Sequence, residues 1–256
     1  MAFCASAEDL YIGSFYVTTN SPSGGEERLL GETNDQWTNR RTVICDMFNF
    51  EQPDVLGIQS YTSTQLSFLT SRMRSYSIAG NIFYKKSEVQ LDTCNVVENM
   101  PEGCTCTWAK FQKGEKTFYV FNICFATDVA TTAATTVISA IKAINTEKLP
   151  CYIVGYLGVD ETKNAYTKLK GGGNYSFLDT YEAATVRSAE YGTVNNFNLE
   201  ENHSSSRYDF VFASKNTVTV KAYGQLQYGY YTLESDNSYK RRLPSAHFPV
   251  MAKTTL

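Results

Sequence analysis

No stretch of the 256 residues reaches the ~18 to 20 uninterrupted apolar positions of a membrane-spanning helix, which excludes a helical membrane protein. Nor is there an excess of basic charge. Lys and Arg number 23 against 26 Asp and Glu, a formal net charge of −3, whereas nucleic-acid surfaces are normally basic, so nucleic acid is a poor candidate partner. The densest basic run, Lys240-Arg241-Arg242, is short enough to be a solvated loop. Seven cysteines is an odd count, leaving at least one unpaired in a monomer, and Cys104-Thr105-Cys106 lacks a second Cys/His pair at zinc spacing. Structural zinc is not expected, and most thiols are expected to be buried. Internal repeats, linkers and low-complexity tracts are also missing, which argues against an array or a multidomain chain.

What is present is material for a large core. Hydrophobic residues make up 43% and charged residues 19%, a composition that folds. A single domain is expected over residues 10–256, with 1–9 a flexible N-terminus or signal-peptide remnant. Ala5-Ser6-Ala7 has the small-x-small form of a secretory cleavage point, but no apolar run precedes it. Export to a periplasmic or extracellular space and a cytoplasmic location both stay open, and the chain is expected to be monomeric.

Periodicity gives the element order. Leu10 to Val17 reads as a buried strand, followed by a long loop through Asn20-Ser21-Pro22-Ser23-Gly24-Gly25. Trp37, Val43, Ile44, Met47 and Phe48 recur at helical spacing between Asn34 and Phe50, with Thr33, Asn34 or Asp35 as N-cap. Val55 to Ile58 is a short strand. A second helix with Leu66, Leu69 and Met73 inward follows, capped by Ser63 or Thr64. Strands are expected at Asn81 to Lys85, Thr105 to Phe111 and Thr117 to Phe125, the last two joined by a Gly114 turn. A helix over Thr131 to Asn145 feeds a strand over Cys151 to Leu157. A short helix at Tyr166 to Leu169 and a flexible Gly171-Gly172-Gly173 turn come next, then a strand pair at Tyr208 to Ala213 and Thr217 to Tyr223. Phe248 to Lys253 closes the chain. This order suggests two packed sheets with helices outside.

Five segments in this order carry a resemblance: Pro53-Asp54-Val55-Leu56-Gly57-Ile58-Gln59, Phe118-Tyr119-Val120-Phe121-Asn122, Ile153-Val154-Gly155, Arg207-Tyr208-Asp209-Phe210-Val211-Phe212 and Pro244-Ser245-Ala246-His247-Phe248-Pro249-Val250. Asn39-Arg40-Arg41 and Gly192-Thr193-Val194-Asn195-Asn196-Phe197 add to it. Together they resemble the endonuclease/exonuclease/phosphatase superfamily. The resemblance implies an α+β, four-layer α/β/β/α sandwich of two mixed sheets with flanking helices, the DNase I-like fold. It implies a metal-dependent phosphoesterase, usually using magnesium, with a histidine and carboxylates activating water.

At the positions that carry this chemistry the sequence departs from the resemblance. Tyr16 stands for an asparagine, Ser60 for the metal-binding glutamate, and Cys124 for the histidine of Asn-x-His after Asn122. Tyr156 and Gly158 replace the acid and amide of Gly-Asp-x-Asn, and Ala246 replaces the aspartate of Ser-Asp-His. His247 and Asp209 are retained. Hydroxyls are weak magnesium ligands, so no metal and no cofactor are expected, and the chain reads as a pseudoenzyme with a binding or interaction role. The alternative is a weak or altered hydrolase of a small phosphoester or sugar phosphate, using His247 and Asp209. Ligand-binding candidates are Asn122, Arg207 and Tyr156, and the partner is an unidentified small molecule, glycan or protein. Tyr16 and Tyr156 either fill the old pocket or form a stacking platform. Cys124 is a buried thiol or the nucleophile of a Cys-His pair with His247. Tyr228-Gly229-Tyr230-Tyr231 is a candidate exposed aromatic surface for carbohydrate or peptide.

Overall fold

The computed structural model describes residues 8–19, 36–199 and 206–256. The Ala5-Ser6-Ala7 start and the loop from Asn20 lie outside them, and the N-cap of the first helix is Gln36, without a side-chain cap, rather than Thr33, Asn34 or Asp35. Two seven-stranded sheets face each other. The first contains β1 (Asp9–Tyr16), β2 (Val55–Gln59), β3 (Tyr76–Ala79), β4 (Ile82–Lys85), β11 (Val186–Ser188), β13 (Thr219–Gln225) and β16 (Val250–Thr255), in the order β11-β13-β16-β1-β2-β4-β3. The second contains β5 (Gln90–Val96), β6 (Thr105–Lys113), β7 (Lys116–Cys124), β8 (Cys151–Tyr156), β9 (Gly171–Gly172), β10 (Tyr175–Asp179) and β12 (Asp209–Ser214), in the order β5-β6-β7-β8-β12-β10-β9. Both are mixed: β1 runs parallel to β2 and antiparallel to β16, and β7 parallel to β8. Helices α1 (Trp37–Glu51) and α2 (Ser63–Arg72) pack on the first sheet, and α3 (Ala130–Ile144) and α4 (Asn164–Leu169) on the second. A short α5 (Thr180–Ala183) follows β10. This is the four-layer α/β/β/α sandwich.

Alternation along the strands builds three apolar layers, because successive side chains point to opposite faces of a sheet. Leu10 and Ile12 of β1, Val55 of β2, Phe118 and Val120 of β7, Tyr152 and Val154 of β8 and Val211 of β12 fill the space between the sheets. Phe15, Leu56 and Ile58 point the other way, against Ile44, Met47 and Phe48 of α1 and Leu69 of α2. Phe121, Ile123, Ile153, Phe210 and Phe212 meet Ala133, Ala134, Val137 and Ile141 of α3. Each fully buried Phe or Leu contributes roughly 1.5–3 kcal/mol, so the layering alone fixes the register of every central strand.

Several expectations need correction. Thr62, not Ser63 or Thr64, caps α2, through a capping box with Gln65. Residues Tyr208 to Ala213 and Thr217 to Tyr223 are not a pair: β12 bonds to β8 and β10, while β13 bonds to β11 and β16 in the opposite sheet. Alternation shows each strand but not which sheet receives it. Gly171 and Gly172 form the edge strand β9 rather than a free turn. Lys240-Arg241-Arg242 is not a loop. It lies in β15 (Tyr239–Arg242), which pairs with β14 (Tyr230–Leu233), and Arg242 is buried against Glu234 at 3.1 Å. Strands β3, β5 and β10 went unread because their burial patterns do not alternate cleanly.

Arg40 of α1 is wholly buried. Its Nη1 donates to the carbonyls of Val17 at 2.6 Å and Pro244 at 3.1 Å, and Nη2 donates to that of Thr18. Trp37 and Phe197 flank the guanidinium at 5.3 and 5.5 Å. Replacing it with Met takes the guanidinium donors from the Val17 and Pro244 carbonyls and leaves Thr18 only its bond from Gln65 Nε2. Arg40→Met is expected to lose about 3 kcal/mol or more, read as a fall in the urea midpoint with an unchanged slope.

Candidate functional site

The same alternation that fills the core delivers the polar residues to one edge. On β1, β2, β7, β8 and β12 the side chains facing between the sheets include Tyr16, Gln59, Asn122, Cys124, Tyr156 and Asp209, each near a strand end. Registers bring them level: Tyr16 is opposite Gln59, Cys124 opposite Tyr156, and Tyr156 opposite Asp209. His247 enters from the segment before β16, fixed by a bridge to Val194.

A buried amide chain crosses between the sheets beneath this edge. Ser14 Oγ donates to Gln59 Oε1 at 3.3 Å, and Gln59 Nε2 to Asn122 Oδ1 at 2.6 Å. Asn122 Nδ2 donates to the carbonyls of Ile58 and Asn81 at 3.0 and 3.1 Å. Every arm of Asn122 is thus occupied within the protein, which makes it a tie between sheets rather than a ligand contact. Gly57 is required here, since a Cβ would sit 2.6 Å from Asn122 Oδ1.

The retained pair is intact. His247 Nδ1 lies 2.8 Å from Asp209 Oδ2, so the carboxylate accepts from Nδ1–H and leaves Nε2 as the acceptor. Asp209 Oδ1 is buried with no hydrogen-bond partner among the described residues. Around the imidazole, however, stand rings. Tyr16 stacks on it at 4.2 Å with planes 22° apart, Tyr156 meets it edge-on at 5.4 Å, and the two tyrosines touch at 4.8 Å. Tyr208 extends the stack from Tyr156 at 6.5 Å. His247 keeps only 7% of its surface exposed. The rings fill the space beside the histidine, the first of the two arrangements open to Tyr16 and Tyr156.

The other departures lie around this stack. Ala246 is fully buried, its N–H bonded to Thr18 Oγ1 and its carbonyl accepting from the Asn195 and Asn196 amides. Thr18 Oγ1 and Ser245 Oγ are 2.9 Å apart, so the end of β1 and the closing segment are laced together. Ser60, with φ 48°, and Cys124 line a cleft that His247 does not enter. Gly158 has φ 73°. Arg207 lies in the interior: Nη1 is 2.6 Å from Asp179 Oδ2, with the Tyr181 ring at 4.2 Å, so this binding candidate is part of a buried ion pair and does not line the cleft.

Magnesium takes hard oxygen ligands, usually with one or two carboxylates among them. Ser60 and Tyr156 offer hydroxyls, Ala246 offers nothing, and Asp209 is bonded to His247. Among the described residues no three His, Cys, Asp or Glu side chains converge on a point that could hold a metal ion. The cysteines are chemically quiet where buried: desolvation raises the Cys104 thiol, partly offset by the Ala126 N–H, and pushes the Cys45 thiol up to about 11. Of the tyrosine-rich segment, Tyr228 is tied to Glu51 at 2.6 Å and only Tyr231 projects. Leu233 and Tyr239 project beside it, an apolar edge that residue-type runs alone did not reveal.

Comparison with known proteins adds to this geometry. No family model matches the sequence, and no curated protein is detectably similar to it. Solved structures do match. An endonuclease/exonuclease/phosphatase family protein from Bacteroides thetaiotaomicron has a TM-score of 0.82 at 24% identity, covering 98% of this chain and 99% of that one. A mannosyl-6-phosphatase from the same bacterium also scores 0.82 at 24% identity, over 96% and 100%. D. rerio TDP2, in complex with a single-strand DNA product, scores 0.68 at 17% identity over 96% and 99%. These likenesses run over nearly the whole length of both chains and show that the chain has the fold of the endonuclease/exonuclease/phosphatase superfamily.

Proposed function

We propose that this chain is a binding protein on a phosphoesterase fold, its hydrolytic centre dismantled. The carrying observation is the ring stack. Tyr16 and Tyr156 cover His247 on a face and an edge, where a hydrolase needs a water, a phosphate and a cation beside the imidazole. Attack on phosphorus would also lack charge compensation, because the positions that would supply carboxylates for a cation are Ser60, Tyr156 and Ala246. A second reading draws on the 2.8 Å His247–Asp209 contact, which is the geometry of an oriented general base, and on the likeness to a mannosyl-6-phosphatase. It makes the chain a weak hydrolase of a small phosphoester or sugar phosphate.

The departure is built into the backbone as well. At Gly158 a Cβ would lie 2.5 Å from the Phe125 carbonyl oxygen, with φ 73°, so the amide-bearing residue of the resemblance no longer has room. Gly158→Asn is expected to cost about 2 kcal/mol or more in thermal or denaturant unfolding, whereas a neutral effect would mean the loop adapts.

Assays with p-nitrophenyl phosphate, bis-p-nitrophenyl phosphate and mannose 6-phosphate, each with magnesium or manganese, are expected to give no turnover above that of His247→Ala. Magnesium titrated into the protein is expected to give no binding heat. Turnover that disappears in His247→Ala would establish the hydrolase reading instead.

A further inference from the structure

Beside the ring stack the described residues enclose open space. A cleft of about 480 Å³ runs between the end of β2 and the β5–β6 connection, within the ~300–1,000 Å³ of small-molecule sites. None of the described residues lining it is Asp, Glu, Lys, Arg or His. The lining divides by chemistry. Ser60, Asn81 and Thr107 contribute hydroxyls and an amide, while Val97, Met100 and Cys104 on and beside the β5–β6 connection contribute carbon and sulfur. Asn81 is 8% exposed and hydrogen-bonds to the Tyr61 side chain, yet its Oδ1 has no partner among the described residues. A buried acceptor left unpaired costs about 1–3 kcal/mol, which a donor on a ligand would remove.

An anion entering this cleft would give up hydration and meet no cation among the described lining residues, so phosphate and carboxylate ligands are disfavoured. A ligand with hydroxyls along one edge and carbon on a face meets matching surface on both. On these grounds we propose that the cleft binds an uncharged pyranoside. The proposal rests on the binding-protein reading and names its ligand class.

Cys124 supplies the test, since it lines the cleft and is part-exposed, while Cys94 on β5 is exposed and outside it. Site-resolved alkylation by neutral iodoacetamide and anionic iodoacetate is followed by peptide mass spectrometry. The iodoacetamide-to-iodoacetate rate ratio is expected to be higher at Cys124 than at Cys94. Methyl α- and β-pyranosides of glucose, mannose and galactose are the probes. At least one is expected to slow Cys124 alkylation severalfold without changing Cys94, and inorganic phosphate to slow neither. Protection by phosphate, protection by none of the pyranosides, or a ratio favouring iodoacetate at Cys124 overturns the inference while the non-hydrolytic reading stands. Metal-dependent turnover in the assays above overturns that reading itself.

Discussion

Arg40 is the constraint on which the functional edge depends. A guanidinium with no exposure is costly to bury, and its hydrogen bonds to the carbonyls of Val17, Thr18 and Pro244 offset that cost where strands leave the sheet and have no ladder partners of their own. Those carbonyls belong to the segment leaving β1 and the segment entering β16, which carry Tyr16 and His247. The stack of Tyr16 on His247 is therefore set from the helix behind the sheet. Thr18 and Ser245, and Gln65 donating to the Thr18 carbonyl at 3.1 Å, complete the same fixture.

With the edge fixed this way, the chemistry there follows from which side chains the strands present. The alternation that places Val120 and Val154 in the core also places Asn122 and Tyr156 at its rim. A scaffold so determined by apolar packing tolerates exchange of rim residues, because few of them contribute to the layers. Ser60 and Cys124 are small uncharged groups at this rim, and they border a cleft whose described lining carries no formal charge. The polar ties that do bear on stability, Gln59 to Asn122 and Arg207 to Asp179, are buried.

Much of the sandwich was legible because its central strands are continuous apolar runs bounded by turns, such as Val55-Leu56-Gly57-Ile58 and Cys151 to Tyr156, and its long helices repeat at helical spacing. The partition of β12 and β13 into different sheets was not, since nothing local in Phe210-Val211-Phe212 or Val218 to Tyr223 names a partner. At the site, the sequence order singled out His247 and Asp209, which the fold brings within 2.8 Å of each other. It could not show that Arg207 is turned inward to Asp179, nor that a cleft opens at Asn81, Thr107 and Met100. The first arises from β12 pairing with β10 and the second from the β5–β6 connection lying beside β2, contacts between segments with no shared pattern.

The pairing of β1 with β16 has a consequence in time. Asp9 lies opposite Thr255 and Ser14 opposite Val250, in the middle of the first sheet, with β2 and β13 on the flanks. During synthesis β1 must wait for β16, about 240 residues later, before its second ladder can form, and until then its edge stays open to other strands. The second sheet has no such delay, because β5, β6 and β7 follow one another as a meander and β8 joins after a single helix. One half of the sandwich is thus able to assemble while the other half waits for β16.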